Sequence, residues 1–170
     1  MEELIDVLNE DGTKTGEVVT RREVHEKGLW HRIVVIAILD KEGHLLMQQR
    51  SKHVKTNPEK WDISAAGQTS IEAAIREVKE EVGLKIEQEE LMYITTYSEP
   101  TRKQGEIIDN QLYDFYVVIK PKIDMENVKM QENEVENVKL CNLEEVKDKL
   151  ENKMVVEREV VYQTLIKYLK

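Results

Sequence analysis

The residues best suited to chemistry lie in the segment "REVKEEVGL", Arg76 to Leu84, where Glu77, Glu80 and Glu81 crowd together. At about 100° of helical turn per residue, Ile71, Ala74, Ile75, Val78 and Val82 form one apolar stripe. The three glutamates fall beside it, at i, i+3 and i+4 from Glu77, so their oxygens can converge on one point. Like charges on adjacent turns repel. A hard divalent cation removes that repulsion and takes oxygen ligands. Arg76 cannot ligate a cation, but it can pair with a carboxylate and fix its direction. The alternative for any acidic helix is a solvated face.

Local signals place these residues. Thr69 as N-cap with Glu72 three positions on forms a capping-box pattern, and Gly83 suits the left-handed position after the last turn. The predicted helix therefore runs from about Ser70 to Val82. Upstream, "ELIDVLNEDGTKTGEVVT" reads as a hairpin turning at Asp11-Gly12, and "RREVHEKG" as a short helix. "HRIVVIAIL" reads as a buried central strand and "HLLMQQR" as its returning partner. Downstream, Glu90–Glu99, Gln111–Ile119 and Val135–Leu143 read as strands, and "PTRKQGEIIDN" as a loop. "LEEVKDKLEN" and "VEREVVYQTLIKYL" are amphipathic helices. Mostly hairpin-linked strands interspersed with helices predict an α/β fold, a mixed β-sheet with helices on its faces. One domain over 1–170 is expected, with the hairpin and short helix in 1–30 and the last helices in 142–170.

The chain has 170 residues, a net charge of −9 and a sequence pI ≈ 5.1. That balance disfavours a long nucleic acid as partner. An anionic small molecule would need a cation or a few placed Lys and Arg. One cysteine, Cys141, excludes an internal disulfide. The sequence lacks a signal-peptide pattern and an apolar run of membrane-spanning length, so a cytoplasmic protein without membrane contact is expected.

"REVKEEVGL" matches the end of the signature of the Nudix hydrolases, G-x5-E-x7-R-E-apolar-x-E-E-x-G-apolar. With "HEKGLWHR" and "WDISAAG" ahead of it, the chain resembles the branch related to isopentenyl-diphosphate isomerase, and the resemblance covers most of its length. It implies an α/β/α sandwich that holds Mg²⁺ (or Mn²⁺) against the diphosphate of a small molecule and hydrolyses that linkage. It also implies Glu77, Glu80 and Glu81 as metal ligands, with Glu80 able instead to orient the attacking water. Arg76 would hold a glutamate in place, so the catalytic set is Arg76, Glu77 and Glu80. Arg50, Arg102 and Lys103 are candidate phosphate contacts. The general base stays open between a helix glutamate and Glu99, Glu106 or Glu134. Isomerases of the related branch use histidines near His25 and His31 for metal; here packing roles are expected. Related proteins often pair, so a homodimer is an expectation.

The chain departs from the signature upstream. Counting back from Arg76, the first glutamate falls on Gln68 and the glycine on Asp62, and the stretch after Gly67 is shorter than the family's. The rest of the motif is intact, which predicts a loop missing between Ala65 and Thr69. A step well beyond the ~3.8 Å of consecutive Cα atoms would betray it. A naturally short loop, or a non-catalytic diphosphate-binding module, is the alternative. An isomerase would need a cysteine near "KTNPEKWDIS", and Cys141 lies instead on the last strand.

Overall fold

The computed structural model describes residues 2–99 and 101–169. Pro100, the first residue of the expected "PTRKQGEIIDN" loop, lies outside them. The central strand is β3 (Trp30–Asp40). Its whole length pairs in parallel with β9 (Ile107–Lys120), from Trp30 opposite Asn110 to Asp40 opposite Lys120. Its other edge is shared among three strands. β1 (Leu4–Leu8) meets it at Trp30, β6 (Ala65–Gln68) at Val34–Ile36, and β4 (Leu45–Arg50) only at Leu39. β2 (Lys14–Thr20) completes the N-terminal hairpin with β1, and Thr20 caps α1 (Arg21–Lys27).

Where β3 and β4 part, Ser64 joins them. Its hydroxyl accepts from Ile38 N at 2.8 Å and donates to Leu46 O at 2.6 Å. This satisfies backbone groups that the separating strands would otherwise leave unpaired and buried. Beyond that point β4 pairs with β5 (Trp61–Asp62) and with β10 (Val135–Cys141). On the far side of β9 lie β7 (Met92–Ser98) and β8 (Arg102–Gln104).

Side chains alternate across a strand, and β3 is apolar on both faces. Ile33, Val35, Ala37 and Leu39 pack with Phe115, Trp61, Tyr162 and Leu165, under α3 (Leu143–Glu151) and α4 (Glu159–Tyr168). Val34, Ile36 and Ile38 pack with Ala74, Val78 and Val82 of α2 (Ile71–Val82). The result is helices on both faces of a mixed sheet, as expected, with the predicted stripe of α2 inward.

Three expectations need correction. First, no loop is missing. The backbone runs unbroken from Ala65 through Gln68 as β6 and reaches α2 through Thr69 and Ser70, an ordinary length for a strand-to-helix connection. Gly67 sits at φ 110 where the β3–β6 register shifts between Val34 and Val35. This bulge takes up the short segment at a backbone angle that favours glycine. Second, the N-cap is Ser70, whose hydroxyl accepts from Ala73 N at 3.1 Å. Thr69 instead donates to Glu3 Oε1 at 2.9 Å, tying the N-terminal segment to the start of α2. Third, "PTRKQGEIIDN" is no open loop: Arg102–Gln104 pairs back on Ile107–Asp109 as a hairpin.

Candidate active site

The C-terminal half of α2 carries the acidic wall. Gly83 ends the helix at φ 74, and a Cβ there would stand 3.0 Å from Lys129 N. That close approach lets Lys129 N donate to Val82 O and Gln131 N to Glu81 O, both at 3.1 Å. Ser51 N donates to Glu134 O at 3.0 Å. The 131–134 turn is thus fastened to both α2 and the end of β4, and it sets Glu134 beside the helix glutamates.

Glu77 and Glu81 meet there. One turn apart on α2, each carboxyl alters the titration of the other. Burial, then the charges of Glu77 and Glu134, push Glu81 up to about 7, against the lowering effect of its hydrogen bond from Gln48. That bond, Gln48 Nε2 to Glu81 Oε2, is 2.8 Å long, and the same amide donates to Ser64 O at 2.9 Å. Glu77 is raised by burial and by Glu80. Glu80 itself is exposed and faces Arg76 at 3.9 Å, so these two lie on the outer flank.

This donor set suits a hard divalent cation: oxygen ligands only, with excess negative charge partly buried. A tighter trio, Asp40, Glu42 and His44, lies in the β3–β4 turn. There Asp40 accepts from Glu42 N and His44 N, each at 2.9 Å, and from the His44 ring at 2.8 Å. The turn itself accounts for that grouping.

Next to the acidic wall lies a cleft of ≈ 480 Å³ whose lining includes Glu134, Gln68, Arg50 and Arg102. Arg50 donates to Thr56 O at 3.0 Å and Thr56 Oγ1 at 3.3 Å. Arg102 pairs with Glu99 and donates to Glu157 O at 2.8 Å. Lys103 lines the neighbouring cavity rather than the cleft. Glu106 is exposed and lines neither. Burial raises Glu99, and its partner Arg102 opposes the shift.

His25 lines the cleft and faces Asp109 at 3.2 Å. His31 is buried; its Nδ1–H donates to Leu29 O at 3.0 Å, leaving Nε2 to accept from the Gln111 amide at 3.2 Å. Burial lowers the His31 pKa, against the raising effect of the bond to Leu29 O. Cys141 is wholly buried in the core under α3 and α4.

The sequence reading missed the cleft floor. Trp61 N donates to Met154 O and Val156 N to Trp61 O, both at 2.8 Å, so the chain before α4 lies alongside β5. Arg158 is thereby delivered onto Asp62, with two parallel bonds of 2.7 and 2.9 Å. The pair is buried and lines the cleft. No local pattern announces two residues this far apart. Gln48 was missed for another reason: in an alternating strand it reads as an ordinary polar position.

The NUDIX domain model matches residues 29–165. A sequence 37% identical over 155 residues is found in Nudix hydrolase 3 of Arabidopsis thaliana; it covers 86% of this chain, which spans only 20% of that protein. An uncharacterized Nudix hydrolase of Clostridium acetobutylicum is 32% identical, over 90% of this chain and 76% of its own length. An isopentenyl-diphosphate isomerase of Serratia proteamaculans is 28% identical, over 69% of this chain and 66% of its own. A crystal structure from Deinococcus radiodurans superimposes with a TM-score of 0.64 at 17% identity, covering 96% of this chain and 97% of that one, a likeness of fold. The chain belongs to the Nudix family and is a Nudix hydrolase. No helix among the described residues is long and apolar enough to cross a membrane.

Proposed function

We propose that the protein hydrolyses the diphosphate linkage of a small organic diphosphate, such as a nucleoside diphosphate derivative, with Mg²⁺ or Mn²⁺ held by Glu77 and Glu81. The observation that carries this reading is the partly buried meeting of those two carboxyls, with Glu134 facing both. Bound there, the cation would neutralise diphosphate oxygens and assist the activation of water. Gln48 orients Glu81, and Arg76 restrains Glu80 at the rim, where Glu80 can take part in ordering water. Glu134 is the proposed base: it lines the cleft, is fastened through its backbone and stands beside the metal-binding pair. Water attacks one phosphorus, its proton passes to Glu134, and the bridging oxygen leaves on the other phosphate. Arg50 and Arg102 supply positive charge to the phosphates from the cleft wall.

An isomerase reading gains no support from Cys141, which is buried away from the cleft. Phosphate release from a panel of nucleoside diphosphate compounds, with Mg²⁺ or Mn²⁺, tests the proposal. Glu81→Gln should lower kcat/KM by about 10²–10³-fold, the scale for losing one electrostatic element of a site. Turnover equal in variant and parent would contradict the assignment.

A further inference from the structure

β2, β10 and β7 lie at margins of the sheet, and each pairs with a single strand: β1, β4 and β9 respectively. A marginal strand offers a row of unpaired backbone N–H and C=O groups. Charged side chains are a common guard against a second chain adding to it. Two of these three margins have that guard. β2 exposes Lys14 and Glu17, and β10 exposes Glu136 and Lys139. β7 has no charged residue, in a chain of which 35% is charged. Its one irregularity is the register shift between Tyr93 and Thr95, which leaves residues 95–98 paired regularly with residues 112–115.

Apolar side chains are exposed around β7 on both faces of the sheet. Met92 lies opposite Val117 and shares that face with Ile119, and both Met92 and Ile119 are exposed. On the other face exposed Tyr93 lies opposite Tyr116, with ring centroids 5.7 Å apart. The acids around the strand are occupied within the chain. Glu90, before it, is held by Lys120, Glu99, after it, by Arg102, and Asp114, opposite Thr96, by Arg32.

We propose that β7 is the interaction surface for a second copy of this chain, the two β7 strands pairing antiparallel about a two-fold axis and joining the two sheets into one. Charge selects this partner. Each copy carries −9, so two copies meet least repulsion where both present an uncharged strand with its neighbouring acids already paired. A strongly acidic or basic partner would be steered by complementary charge, which β7 does not offer. The two-fold axis sets each strand's free N–H and C=O groups against the same row on the other copy. It brings Thr and Tyr side chains against Thr and Tyr, pairs that favour a sheet. It also uses up both edges, so assembly stops at two.

Sedimentation velocity of the full chain over a dilution series tests the pairing. The parent should sediment as a dimer that dissociates on dilution. The Tyr93→Lys, Ser98→Lys variant sets like charges against each other across the axis and should be monomeric throughout. Both positions are exposed, so its circular dichroism should match the parent's. Val18→Lys, at an exposed position of the guarded strand β2, should dimerise like the parent. Mixing the lysine variant with a Tyr93→Glu, Ser98→Glu variant should restore the dimer, which requires that the partner carry the same strand. A parent that is monomeric at every concentration overturns the proposal and leaves the edge to a strand of another protein or to none. So does a dimer that survives the lysines, a dimer lost equally in Val18→Lys, an assembly that grows past two, or a mixture that stays monomeric.

Discussion

On the acidic wall beside the cleft, Glu81 faces Glu77 and Glu134 and receives one hydrogen bond from a neutral amide, that of Gln48. On the floor, Arg158 lies flat on Asp62 and Arg102 holds Glu99. Both regions are charged and partly buried, but only one is balanced. A buried ion pair is a scaffold: its charges already satisfy each other, and it resists change because removing either partner strands the other. A buried pair of like charges is the opposite. It keeps up to near neutral pH a proton that an ordinary carboxyl gives up well below it, and it gains most when an outside cation arrives. Uncompensated charge therefore marks where a ligand belongs, and compensated charge marks what keeps the site in shape.

The largest effect should come from breaking the balanced region. Arg158→Met leaves Asp62 buried without its partner, and unfolding free energy should fall by about 3–5 kcal/mol in denaturant titration. Replacing both residues by apolar ones should recover much of the loss. If the single variant is as stable as the parent, the floor is not a scaffold.

The unbalanced region should respond in the reverse direction. Glu81 has its carboxyl raised to about 7 in the folded protein from an ordinary value of 4.5, so the fold binds the proton more tightly than the unfolded chain. Its contribution is present in full below the unfolded value and is lost as pH rises through about 7. Linkage sets the size on the order of 3 kcal/mol, spread over the coupled glutamates. Thermal melts in chelator should show stability falling across that window, and Glu81→Gln should flatten the fall. A parent protein whose stability is level across the window would separate these carboxyls from the fold's energetics.

A smaller effect is expected at the contact that orients Glu81. Gln48→Leu removes the 2.8 Å bond without touching a carboxylate. Metal affinity should drop roughly 10–100-fold, the usual scale for an outer contact of a metal site. An unchanged dissociation constant would make Gln48 a bystander.

How much of this was legible in the sequence depends on whether the signal is local. The run Ile33–Leu39 announces a strand buried on both faces, and the stripe from Ile71 to Val82 sets the inward side of α2. The helix start was misread by one residue because Thr69 and Ser70 are both good caps, and Glu3, distant in sequence, claims Thr69. Arg102–Gln104 was read as loop because its polar residues belong to a hairpin that protrudes from the sheet. Asp62, Gln48 and Arg158 acquire their meaning only from partners brought in by the fold. The short segment after Gly67 looked like a deletion. A bulge and a two-residue connection accommodate it without a break.

The account rests on Glu77 and Glu81 as the place where a divalent cation binds. Calorimetric titration of Mg²⁺ and Mn²⁺ into the parent and into the Glu77→Gln, Glu81→Gln double variant, each confirmed folded by circular dichroism, tests it most directly. Saturable binding in the parent and its loss in a folded, equally or more stable variant is the predicted result. A variant that binds the cation as tightly as the parent would contradict it.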